Sequence, residues 1–184
     1  MNNFIVNTGT LNGSVNQKVV EQRPTGQPSC PFSFTSVPKK TKKEYQYDVA
    51  VSYASEQERY VSRVCKILEK ENLEVFFAPN REEEFIGRDM ITEFYDIYRY
   101  KSMYVACFVS EEYLKKDITM HEAKVATLRE KEEKRNCLIP ICWGNARLPG
   151  LDPDINFLNA DRLREVEVAE RIKWIVNAGK KAGA

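Results

Sequence analysis

Met103–Leu128 reads MYVACFVSEEYLKKDITMHEAKVATL. Met103 to Val109 is a continuous apolar run with no polar alternation. Such a run is a strand covered on both faces, the habit of parallel sheets. Parallel neighbours require crossovers, and a helical pattern follows at once. Stepped at about 100° per residue from Ile118 to Lys131, it places Ile118, Val125, Ala126 and Leu128 on one broad apolar side. Lys124, Glu130 and Lys131 take the other side. Glu122 falls near the middle of the apolar side. An inward carboxylate is costly unless it is paired or opens onto a cleft that uses its charge. A second reading stands beside this one. Thr119-Met-His-Glu122 fits a T-x-x-E capping box, and a carboxylate in the first turn suits the positive end of the helix dipole.

The chain on either side repeats the unit. Tyr47–Tyr53 (YDVAVSY) is strand 1. Ser55 and Glu58 suggest a capping box for a helix over 56–71, with Tyr60, Val64, Ile67 and Leu68 inward and Asn72 closing it. Glu74–Phe77 is strand 2, and 78–86 is charged and irregular up to Gly87. A helix over 88–100 has Ile91, Phe94, Ile97 and Tyr98 as inner candidates. Cys137–Cys142 is strand 4, 154–159 holds a short fifth strand, and a closing helix covers 165–177. Right-handed crossovers then give an α/β, flavodoxin-like doubly wound parallel sheet, five strands in order 2-1-3-4-5. The predicted division is a flexible basic arm over 1–43, a single domain over 44–178 and a tail over 179–184.

Of 184 residues 42% are hydrophobic, enough for one proper core. Residues 1–43 carry six Lys or Arg against Glu21 alone, +5, which leaves −4 for the rest of a chain of net charge +1. A mildly acidic domain with a basic arm does not suggest a nucleic-acid binder. Five cysteines without C-x-x-C spacing imply no disulfide framework and fit a reducing compartment. No run reaches transmembrane length and the first residues lack a signal-peptide pattern, so a cytoplasmic protein with no membrane partner is expected.

In doubly wound sheets ligands bind at the carboxyl ends of the strands. Three segments are expected there: Tyr53-Ala54-Ser55, Ala78–Gly87 and Ser110–Asp117, the last leading into Glu122. No P-loop and no G-x-G-x-x-G is present. A single histidine, His121, argues against His-based metal clusters and a Ser-His-Asp triad. Glu82–Glu84 read as a solvated loop, so no metal is expected. What remains is one carboxylate, aromatics (Tyr53, Phe77, Phe85, Tyr113), hydroxyls (Ser52, Ser55, Ser110) and arginines (Arg81, Arg88). Aromatics stack a base or nicotinamide, arginines meet phosphates, and a carboxylate holds ribose hydroxyls. A carboxylate under a ribose also stabilises an oxocarbenium-like transition state, by analogy with glycoside hydrolysis.

The order of motifs resembles a TIR (Toll/interleukin-1 receptor) domain of the bacterial type. Tyr47–Tyr53 resembles the first box, and Val75–Pro79 with the loop to Gly87 the second box and its BB loop. Ser110-Glu-Glu-Tyr113 and Ile118-Thr-Met-His-Glu122 resemble the "S-x-x-Y…W-x-x-x-E" segment. Ile118 stands where the family often has tryptophan, and Ala78 where it often has aspartate. The resemblance implies an NAD+ glycohydrolase or ADP-ribosyl cyclase with Glu122 as its catalytic residue. NAD+ would be substrate rather than cofactor, and the products nicotinamide with ADP-ribose or a cyclic isomer. It also implies antiphage defence signalling, TIR–TIR self-association and a separate sensor or effector protein. Substrate contacts are expected from Tyr53, Ala54, Ser55, Phe77, Arg81, Phe85, Gly87, Arg88, Ser110 and Tyr113. A non-enzymatic interaction module, and a nucleoside deoxyribosyltransferase-like enzyme, remain alternatives.

Overall fold

The computed structural model describes residues 44–152 and 154–183. The predicted basic arm lies outside the described residues. Five parallel strands form one sheet in the order β2-β1-β3-β4-β5. They are β1 (Tyr47–Tyr53), β2 (Val75–Phe76), β3 (Ser102–Val109), β4 (Leu138–Cys142) and β5 (Leu158–Asn159). This is the predicted order. β1 and β3 make the central ladder, from Tyr47 opposite Ser102 to Tyr53 opposite Phe108. Every residue of β3 is buried, as its unbroken apolar run requires.

Each face of the sheet has its own core. On one side α1 (Glu58–Lys70) and α5 (Glu165–Ala182) cover Val49, Val51, Ala106, Phe108 and Ile141. On the other, α2 (Met90–Asp96), a π-turn (Ile97–Lys101) and α4 (Asp117–Glu133) lie over Ala50, Phe76, Val105 and Cys107. A one-turn α3 (Glu111–Leu114) joins β3 to α4. Asn72, in the left-handed region at φ +61°, ends α1 as expected. Asp89 caps α2, accepting from the Ile91 amide and from the Thr92 hydroxyl. The Glu130 carboxylate accepts from the amides of Cys137 and Leu138, each at 3.0 Å, and so seats the start of β4.

Several local expectations change. α5 runs to Ala182, so most of the predicted tail is helix. Gly179 is buried against the Tyr104 hydroxyl, a close approach that a side chain would block. The predicted helix over 88–100 is instead α2 plus the π-turn, and Ile91 is 63% exposed. Ser55 and Glu58 form no capping box. A short 3-10 turn (Ser55–Gln57) precedes α1, and no side chain caps it. Ile118 and Leu128 are exposed, not inward. Ile118 sits in the first turn of α4 and is 61% exposed. Leu128 lies on the helix side away from the sheet, because the buried stripe follows Thr119, Glu122, Ala123, Ala126 and Arg129.

Candidate active site

Glu122 is 6% exposed. The capping reading of it fails. α4 begins at Asp117 with Lys116 as N-cap, so Thr119 is already inside the helix. The Thr119 hydroxyl lies against the carbonyls of Tyr113 (2.6 Å) and Lys116 (2.9 Å), not the amide that a cap would bind. Glu122 faces the sheet instead. Ser52, near the carboxyl end of β1, donates its hydroxyl to Glu122 Oε2 at 2.5 Å. The Tyr113 hydroxyl is 2.6 Å from Ser52 Oγ. With the serine proton directed to the carboxyl, Tyr113 is the donor in that second bond.

Local structure fixes this chain of hydroxyls. Ser110 is buried at the end of β3 and caps α3, accepting from the Tyr113 amide at 3.2 Å. Thr119 meets the Tyr113 carbonyl, so the tyrosine backbone is held at both ends. Tyr98, from the π-turn, donates to the Val51 carbonyl at 3.0 Å, beside Ser52, and Glu122 is the next acceptor its hydroxyl can reach. Burial pushes the Glu122 carboxyl up to about 7, against the opposing hydrogen bonds from Ser52 and Tyr98. Burial likewise raises the pKa of Tyr98, Tyr113 and Cys107.

Two loops meet at this edge of the sheet. Lys116 Nζ donates to Ser55 Oγ at 2.8 Å and pairs with the Glu56 carboxylate at 2.5 Å. Gln57 reaches Glu112 at 3.4 Å. The loop after β1 is thereby tied to the segment before α4. Ala54 is buried beneath it.

The remaining predicted residues divide into two groups. Tyr53 and Phe77 stack at 5.4 Å at the carboxyl end of β1 and β2. Both belong to the core on the α1/α5 face, opposite Glu122. Arg81, Phe85 and Arg88 do not join the carboxylate. The Arg81 guanidinium lies over the ring of Tyr47, the first residue of β1, and pairs with Glu84 at 2.8 Å. Arg88 pairs with Glu93 and, with Phe85, borders a hollow shared with Gln46, Tyr47 and Lys101. These contacts sit at the amino end of β1, away from Ser52. Phe85 is a core residue, packed edge-on against Phe76 and Phe94. Gly87, at φ +76°, turns the exposed loop into α2. The three-segment edge expected from topology is therefore built by two, because 78–85 folds back along β1 as 3-10 turns.

The sequence marked Ser52 as a hydroxyl at the right edge but not as the carboxylate's partner. It placed Tyr98 inward without a role. Lys116 carried no signal, since a surface lysine is recognised only by what it meets.

Comparison with known proteins agrees with this architecture. Over 131 residues, 71% of its length, the chain is 31% identical to a protein of Aquimarina amphilecti named 3' cyclic ADP-D-ribose synthase AaTIR. The aligned part spans 40% of that relative. The crystal structure of the TIR domain of the Toll-related receptor TRR-2 from Hydra magnipapillata matches with a TM-score of 0.53 at 17% identity. That match covers 73% of this chain and 97% of the receptor domain, and it shows the fold. The family model described as TIR domain matches residues 49–173, more than half of the chain, and the chain belongs to the TIR domain family.

Proposed function

We propose that this TIR domain cleaves the nicotinamide–ribose bond of NAD+. The observation that carries the reading is the Glu122 carboxyl, buried beside β1 and held by the Ser52 hydroxyl. The Aquimarina amphilecti relative is named for making a cyclic ADP-ribose, a product of the same bond cleavage. In the reaction the C1′–N bond breaks and its electron pair leaves with neutral nicotinamide. Positive charge develops on the ribose ring, and an ionised Glu122 in a low-dielectric site stabilises it. Water then captures C1′ and loses a proton to give ADP-ribose. Alternatively, a nucleophile within the same molecule captures it to give a cyclic isomer. NAD+ is the substrate, and Glu122, Ser52 and Tyr113 form the reacting corner. A role in antiphage signalling, with a separate sensor or effector, belongs to the same reading.

The test is nicotinamide release from NAD+ by concentrated protein, with Glu122→Ala as control. Release by the wild type, reduced about a hundred- to a thousandfold in the variant, supports the reading, on the scale of losing an electrostatic stabiliser. Equal release by both overturns it.

A second reading is a module that self-associates without turnover. Ile86, 81% exposed at the end of the loop after β2, favours it. Concentration-dependent assembly, abolished by Ile86→Lys, in a protein that leaves NAD+ intact would select it.

A further inference from the structure

Tyr98 is 2% exposed and lies in the π-turn between α2 and β3. A π-turn inserts one residue into a helical winding and re-aims the side chains that follow, often at functional sites. Here it brings the Tyr98 hydroxyl to the Val51 carbonyl of β1, next to Ser52, within the core that α4 also covers. The ring is wedged edge-on between Phe76 at 6.3 Å and Phe94 at 6.2 Å.

The turn is clamped from outside. Ser102 donates its hydroxyl to the Ile97 carbonyl at 2.6 Å. Arg129, fully buried, donates to the carbonyl of Ser102 at 2.6 Å and to those of Tyr98 and Met103 at 3.3 Å. Its guanidinium also meets the Glu133 carboxylate at 3.3 Å. Arg129 follows Glu122 by two turns in the buried stripe of α4. The helix that carries the carboxyl thus also fixes the backbone of the tyrosine facing it. Burying a guanidinium carries a large desolvation cost, and apolar residues of similar volume often serve stability as well. The arginine holds a particular geometry in return.

We propose that Tyr98 is a positioning residue for Glu122, held in register by Arg129 through the π-turn. The tyrosine proton has two acceptors within reach, the Val51 carbonyl and the Glu122 carboxyl. While the carboxyl is protonated, the hydroxyl serves Val51. When it ionises, the charged oxygen becomes the stronger acceptor and the hydroxyl turns to it. Ser52 and Tyr98 then hold the carboxylate in one orientation. The titratable groups facing it are Tyr98 from the π-turn, Cys107 from β3 and Tyr113 from α3. All three are kept neutral by burial.

The role in catalysis rests on the NAD+ reading, whereas the contact can be tested without it. In the full chain with 13C-carboxyl glutamate, the Glu122 resonance is identified by its loss in Glu122→Gln and titrated by NMR. The wild-type midpoint is expected near 7. Tyr98→Phe keeps the ring and moves the midpoint upward. Arg129→Lys loosens the turn and moves it in the same direction, and it decides the matter if Tyr98→Phe does not fold. Tyr104→Phe, at the α5 contact, leaves it in place. An unchanged midpoint in folded Tyr98→Phe overturns the proposal, as does an equal shift in Tyr104→Phe. In the nicotinamide assay, Tyr98→Phe lowers kcat about tenfold, equivalent to 1.36 kcal/mol, with little change in KM and the acid limb of the pH profile moved up. If the wild type releases no nicotinamide, the NAD+ reading fails while the titration still decides the positioning.

Discussion

Glu122 has a measurable thermodynamic signature whatever its substrate. Its ordinary value is 4.5, and burial in the folded protein pushes it up to about 7. Between these values the folded state keeps a proton that the unfolded state has lost. Stability therefore falls as pH rises from 4.5 to 7 and levels off above. The gap corresponds to about 3 kcal/mol. Glu122→Gln is neutral at every pH. Urea melts should show it gaining about that much over the wild type between pH 4.5 and pH 8, and a constant difference contradicts this. That Glu122 points inward was legible from helical periodicity alone. What it meets was not, because Ser52 lies 70 residues away and only the sheet brings it there. The capping box was misread because T-x-x-E is a local pattern, and its meaning depends on where the helix starts. Arg129 was invisible for another reason. A buried arginine is recognised by the carbonyls around it, and those belong to β3 and the π-turn.

At the scale of elements, the sheet order was legible because the continuous apolar strands imply parallel pairing, and handedness then limits the topology. The path of 78–85 was not. Its charged composition reads as solvated loop, yet Phe85 anchors it beneath α2. Phe85→Ala is accordingly expected to cost about 3–5 kcal/mol in denaturant melts, the range for deleting a buried aromatic ring. Phe85→Leu should leave the KM for NAD+ unchanged, whereas a rise in KM would return this residue to the substrate pocket. The tie between the two loops predicts the opposite pattern. Lys116 and Glu56 are exposed enough for water to screen their pair, so Lys116→Ala should change stability by less than about 1 kcal/mol. It should raise kcat/KM instead, since Glu122 is buried and the tie joins the two loops at its edge of the sheet. Unchanged or slower turnover argues that the tie orders the site rather than closes it.

For the molecule as a whole, α5 closes the core on its face. Its approach to β3 depends on Gly179, where a Cβ would collide with the Tyr104 hydroxyl and come within 2.8 Å of Met103 Cε. Gly179→Ala should destabilise by about 1–3 kcal/mol, read from the urea midpoint. Among the described residues no helix is long and apolar enough to cross a membrane. The sheet also ends on both sides in strands of two residues, β2 and β5. A long edge would offer unpaired amides and carbonyls as a template for another chain. Here a neighbour could add only a rung or two of ladder before meeting the 3-10 turns after β2 or the loops around β5. Assembly by this domain would then be written in side chains on helices and loops. A single surface substitution could tune it, and runaway strand addition, the route to fibrils, has little edge from which to begin.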